Sequence, residues 1–323
     1  MVFLFILLVI LICTSISVGS SNIGIPEIIK CLSGNGELTA EFQIINYVRI
    51  PRTVAAIIAG CGLTVAGLIL QSLLNNALAS PGIIGVNTGA GLFTALSTVF
   101  FSSNINLMPI AAFLGAFSVT LLVYFIARKA GLSRMTIVLA GTAVSSLMSA
   151  MTDTILILYP DTVIDRTSFL IGGLSGVTMD RIMVPGIIVF VSLIAAHTFS
   201  YDLNVLSLGD ETGKSLGLNV STSRFLFIIL SSLLSGSVVS FAGLLGFIGL
   251  VVPHISRILV GYDNRLLIPV CALLGSSFAL FCDILARTLF SPYEVPVGII
   301  MSFLGSPFFI YLLLKQRRRL TDD

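Results

Sequence analysis

Two short strings in the chain carry residue types that could do chemistry. Gly209-Asp-Glu-Thr-Gly-Lys-Ser215 has the glycines, lysine and hydroxyl of a loop that cradles nucleotide phosphates, where backbone N–H groups and the lysine meet the negative oxygens. Only three residues separate its glycines where that loop needs four, and no strand is predicted before it. Asp210 and Glu211 would also repel phosphate. Gly173-Leu-Ser-Gly176 offers Ser175 as a nucleophile, but a serine needs a base beside it, and Ser175 falls in a connecting segment without one. The two histidines, His197 and His254, lack clustered carboxylates and make a poor metal site. The chain is expected to be no enzyme and to bind no cofactor or metal of its own.

The elements that position these residues must lie in a membrane. Of 323 residues, 56% are hydrophobic and 10% charged, with a mean hydropathy of +1.08, which excludes a water-soluble domain. A net charge of +2 is too small to suggest nucleic acid. Cys13, Cys61, Cys271 and Cys282 lie in apolar runs and only Cys31 in a connecting segment, so no disulfide framework is expected. The first 18 residues are apolar without a basic leader, which predicts a retained first span.

Apolar runs predict ten helices, at 2–18, 52–74, 88–101, 108–128, 134–158, 183–200, 223–244, 247–260, 266–288 and 296–315. The fold class is all-α, a single polytopic membrane domain over 1–323. Several runs are short for a full span, and broken backbone at membrane depth is tolerated only where protein or a watery cavity covers it. Asp153 falls inside a predicted helix, where an ionisable group is costly. It could belong to a proton relay, but without a matching Lys, Glu or His an interhelical hydrogen bond is the better expectation.

Arg49 to Gly91 is the most informative stretch. From Arg52 to Gln71 is 20 residues, about 30 Å of helix and the thickness of the hydrocarbon core. Ala56, Gly60, Thr64, Gly67 and Gln71 recur at helical spacing after Arg52. Such a small, slightly polar face either lets another helix approach closely or lines a path.

The stretch resembles the permease subunits of the ABC importers for iron-siderophores, haem and vitamin B12. Their pattern is Arg-x-Pro-Arg, a small-residue helix, Gln, Asn-Pro-Leu-Ala-x-Pro and Gly-x-x-x-Gly-Ala. The chain reads RIPR, Gln71, NNALASP and GVNTGA, with Ala77 where the family has proline. The likeness continues in Gly246 to Val270 and Ala286 to Leu313, and so covers nearly the whole chain.

The resemblance implies a vitamin B12 importer permease-like fold and a cargo that is a ferric siderophore or related metal chelate. It implies a homodimer or heterodimer with a second permease, a cytoplasmic ATPase dimer holding the ATP, and an extracytoplasmic substrate-binding protein. Residues 203–220 would be a cytoplasmic coupling segment, with Leu208, Gly209, Gly213, Leu216 and Gly217 matching the family motif. Arg49, Arg52 and Arg287 would receive acidic residues of the binding protein, a task suited to the planar guanidinium fork. Headgroup contact or a local pair, such as Asp283 with Arg287, is the plainer alternative. An ion-driven secondary transporter is the alternative function, and it would need a stronger ionisable network than Asp153 and Asp283 offer.

Orientation follows from the basic residues. With both termini cytoplasmic in the cell membrane, Arg128, Lys129, Arg134, Lys214, Arg224, Arg257, Arg265, Lys315, Arg317, Arg318 and Arg319 lie inside. Lys30, Arg49, Arg52, Arg166, Arg181 and Arg287 lie outside, eleven against six. A reporter fused after Arg319 should therefore read as cytoplasmic; an extracellular signal would overturn the topology.

Overall fold

The computed structural model describes residues 1–19, 40–101, 107–160, 167 and 169–321. Lys30, Cys31 and Arg166 lie outside the described residues. Ten helices of 13 residues or more appear among them: α1 (Val2–Ser17), α2 (Ala40–Leu74), α3 (Val86–Phe100), α4 (Leu107–Lys129), α5 (Arg134–Leu158), α6 (Met179–Thr198), α9 (Val220–Ala242), α10 (Ile248–Val260), α11 (Asn264–Thr288) and α12 (Val297–Thr321). Two short helices, α7 (Ser200–Ser207) and α8 (Asp210–Ser215), stand between α6 and α9. Six helices are long and apolar enough to cross a membrane, and α1, α3, α10 and the Val297–Tyr311 part of α12 are shorter apolar helices.

The helix limits follow local chemistry. Ser133, Asn219 and Asp263 cap α5, α9 and α11 by accepting from Thr136 N–H (3.0 Å), Thr222 N–H (3.2 Å) and Arg265 N–H (3.0 Å). A π-helical turn at Ile45–Arg49 precedes Pro51, whose missing N–H costs nothing in the first turn of the α-helical run. At its other end, Asn75 stops α2 in the left-handed conformation, with φ of 47°. Asn76 then closes the turn itself, its side-chain oxygen accepting from Leu78 N–H at 2.9 Å. That bond explains how the turn is made with Ala77 in place of proline.

Helix α2 is the central column. In its apolar window 83% of residues are buried, against 33% for α5 and 22% for α6 at the periphery. It lies against α9, α10 and α11. Glycine makes this possible by direct backbone approach. A Cβ on Gly67 would stand 2.0 Å from the Gly249 carbonyl oxygen, and one on Gly60 2.3 Å from that of Gly275. Hydroxyls join the same seam: Ser276 donates to Ile57 O (3.0 Å) and Ser231 to Ala66 O (3.2 Å). Small residues and interhelical hydroxyl bonds hold helices together where lipid offers no hydrophobic drive.

The irregular backbone is satisfied within the protein. Residues 243–247 break the chain between α9 and α10, with φ of 67° at Gly243 and 62° at Phe247. Leu244 N–H donates to Phe169 O, Gly173 N–H to Ala242 O, and Gly298 N–H, at the start of α12, to Gly172 O. One non-helical layer thereby serves three helix ends, as the absence of water in a bilayer core requires.

Gly67→Ala should force α2 and α10 apart, because its Cβ falls inside a backbone contact, at an overpacking cost of about 1–3 kcal/mol. Gly91 on α3 meets only Phe169, at 3.9 Å, so Gly91→Ala is the control. Thermal unfolding in detergent should show a lower Tm for the first variant and none for the second; equal Tm values would refute the seam.

Candidate functional site

Charged groups gather at the two ends of the central column. At one end the last turns of α1 and α11, the part of α2 around Arg49 and Arg52 and the α11–α12 connection converge. Arg52 donates from Nε to Asp283 Oδ1 (2.8 Å) and from Nη1 to Glu294 Oε2 (2.6 Å). Arg287 places Nη2 3.0 Å from Asp283 Oδ2 and donates to Ser15 Oγ (2.9 Å) and the carbonyls of Ser15 and Val18. Its approach to Oδ2 has the distance of an ion pair without the alignment of a hydrogen bond. Arg49 donates to the carbonyls of Ile16 (2.7 Å) and Ser17 (2.8 Å).

These contacts correct the expected exposure of the three arginines. Arg49, Arg52 and Arg287 are only 3%, 5% and 3% exposed and Asp283 is fully buried. The cause is the end of α1, whose last carbonyls lack helical partners and lie over two guanidiniums. Asp283, weighed above as part of an ion relay, is held instead between Arg52 and Arg287. Asp153 is exposed on α5.

A cavity of about 490 Å³ opens beside this cluster, lined by Arg52, Arg181, Glu294, Ser175 and the end of α9. Ser175 faces it without His254, which lies on α10 against Phe308 with ring centroids 6.4 Å apart. Among the described residues no group of His, Cys, Asp and Glu could hold a metal.

The α2 face sits in the glycine seam. Ala56 and Thr64 are fully buried, Gly60 and Gly67 meet the backbones of α11 and α10, and none of them lines the cavity. Gln71 ends the row as a clamp: its Nε2 donates to Gly249 O (3.0 Å), while Arg257 Nη1 donates to its Oε1 (2.5 Å). Within this chain the face packs closely against α10 and α11.

At the opposite end α7 and α8 form a compact knob. Gly209, with φ of 114°, makes the bend between them, and Gly217, with φ of 81°, ends α8. Leu218 N–H to Gly213 O and Gly217 N–H to Lys214 O complete a Schellman stop. The nucleotide-loop lookalike is thus a helix with its C-terminal cap. Gly213 is buried, and a Cβ there would lie 3.2 Å from Val220 Cγ2. Leu208 and Leu216 point outward, 65% and 58% exposed.

Three ties fix the knob, and sequence reasoning found none of them. Arg224, on the first turn of α9, donates to Asp210 Oδ1 (2.5 Å) and to the carbonyl of Leu132 in the α4–α5 turn. Arg134, which opens α5, donates to Leu206 O (3.1 Å). Asn204 donates to Asp263 Oδ1 (2.7 Å) and accepts from Asn264 N–H (2.8 Å), which connects the knob to the cap of α11. Hydrogen bonds from Arg265 N–H and Asn204 hold the Asp263 carboxyl below the usual carboxylate range. The group gains stability from this above its ordinary pKa of about 3.9 and loses it as pH falls through the lowered value, so the tie is intact at neutral pH. Arg134 and Arg224 stood out in the sequence only as basic inner residues, since their partners at Leu206 and Leu132 are 72 and 92 positions away.

The profile of the FecCD transport family matches residues 7–315. The chain is 38% identical to the Fe(3+)-citrate import system permease protein YfmD of Bacillus subtilis over 303 residues, covering 94% of this chain and 90% of that protein. It is 35% identical to the hemin transport system permease protein HmuU of Yersinia pestis, covering 98% and 96%. A solved inward-facing conformation of a metal-chelate type ABC transporter matches with a TM-score of 0.86 at 29% identity, over 97% of both chains.

Removing one partner from a buried ion pair costs about 3–5 kcal/mol. Arg52→Ala should therefore destabilise the protein markedly. Denaturant unfolding in detergent checks this; an Arg52→Ala variant as stable as the wild type would show that the cluster does not hold these helices together.

Proposed function

The chain belongs to the FecCD transport family, and on that premise we propose how it works as the membrane permease of an ABC importer for an iron chelate. The observation that carries the reading is the knob: a folded projection that displays Leu208 and Leu216 while its other side is bonded to α5, α9 and α11. A hydrophobic anchor on a rigid base suits a helix that seats in a groove of another protein. That partner is a separate ATPase dimer, which supplies the ATP hydrolysis. Its side of the membrane is the cytoplasm. Helix α2 runs from the arginine cluster to the knob and α12 starts at the cluster, which supports the outward placement of the arginines and the inward placement of both termini.

A second permease copy or close homologue covers the apolar faces of α5 and α12, where Leu139, Leu147, Phe303 and Ile310 are exposed. The pathway runs between the two. The cargo is a bulky ferric chelate, by likeness to relatives named for Fe(3+)-citrate and hemin. An external binding protein delivers it. Arg49, Arg52 and Arg287 outnumber Asp283 and Glu294 by three to two, so the outer end suits acidic groups of that protein. Because the arginines are buried, such a group reaches Arg52 by displacing Glu294, whose side chain is 32% exposed.

Gly213→Leu should break the knob's fit against Val220 while leaving membrane insertion intact. ATP-driven chelate uptake by cells or proteoliposomes should fall about tenfold or more, in the range of ordinary coupling energies. Normal uptake by an inserted variant would count against the coupling role.

A further inference from the structure

We propose that Arg224 is a positioning residue that makes the knob and the α4–α5 turn move as one body, and so relays the ATPase state to α5. The inference rests on the proposed coupling role of the knob. Its basis is a single side chain that joins three elements, carried on one and bonded to two. Arg224 is carried by α9, is 2% exposed, holds Asp210 on α8 at 2.5 Å and reaches the Leu132 carbonyl beyond α4. Its Nε has no hydrogen-bond partner, so these two contacts alone fix its direction.

Both partners are built for the contact. Asp210 is the first residue of α8, immediately after the Gly209 bend, so pushing the knob moves the carboxylate directly. Leu132 has φ of 48°, a conformation a leucine avoids unless its surroundings impose it. The turn thereby presents its carbonyl to Arg224, and α5 begins two residues later, at Arg134. A lysine could not serve both partners, because it is a point charge on a flexible stem where arginine is a planar fork. The parallel tie from Arg134 ends on a carbonyl at 3.1 Å and is the weaker, since Arg224 alone adds an opposite charge, the Asp210 carboxylate, to its contacts. The Asn204 tie leads to α11 and the glycine seam. The knob is therefore connected to the packed column on one side and to the exposed helix α5 on the other.

The test uses the full complex with its ATPase and binding protein in proteoliposomes. Asp210→Asn removes the ion pair and leaves the arginine, its carbonyl bond and the knob's caps in place. The expected result is ATP hydrolysis within about twofold of wild type and chelate uptake per ATP lowered about tenfold. Asp210→Glu, which keeps the carboxylate, should restore most of the ratio. Spin labels at the exposed positions Lys129 and Tyr262 should change separation with ATP in the wild type and not in Asp210→Asn. An unchanged uptake ratio and an unchanged label response in Asp210→Asn, with Gly213→Leu still uncoupled, would overturn the relay alone. Normal coupling in Gly213→Leu as well would overturn the knob's role and the relay with it.

Discussion

The backbone contact of α2 with α10 and α11 is the constraint on which the rest of the structure depends. In a bilayer the helices gain nothing by hiding apolar side chains from lipid that is equally apolar, so they must gain from close packing and polar contacts. At Gly60, Gly67, Gly249 and Gly275 there is no room for a Cβ on at least one side of each contact. The seam fixes α2 as the column, and the column sets where its two ends stand. Arg49 comes to lie under the end of α1 and Arg52 beside Asp283 and Glu294, while Gln71 and Ser72 come to lie beside α10 and α11.

Each end then solves a different electrostatic problem. At the arginine end, charges that would be costly alone are held in one buried group, with Asp283 between two guanidiniums and the α1 carbonyls accepting the remaining donors. At the knob end the arginines serve as ties between mobile-length segments: Arg224 and Arg134 reach across turns to α8 and α7. The distinction matters for function. The first arrangement makes the arginine-cluster ends of α1, α2 and α11 one unit, and the second joins a surface projection to helices that flank an exposed apolar face.

Much of the fold was legible because hydropathy and small-residue spacing are local properties. Ten apolar runs became ten helices, and the row from Ala56 to Gln71 fell on one buried face of α2. The turns that bound α8 were also readable, since Gly209 and Gly217 mark positions of positive φ. Burial of the arginines was not readable, because it depends on α1 folding over the cluster from more than thirty positions away. The ties from Arg224 and Asn204 were hidden for the same reason: each joins segments remote in sequence, and a polar residue in a connecting segment looks alike whether solvated or bonded. The small-residue face shows a further limit, for the same composition fits a packed seam or a pathway wall, and only the facing helix decides.

The central claim is that this chain provides the membrane path and takes its drive through the knob from ATP hydrolysed on another subunit. The most direct measurement is uptake of a radiolabelled ferric chelate into proteoliposomes carrying the permease and its ATPase, with binding protein outside and ATP inside. Uptake should require internal ATP and the binding protein, stop with a hydrolysis-deficient ATPase, and continue when ion gradients are dissipated. Uptake that persists without ATP and collapses on dissipating an ion gradient would contradict it.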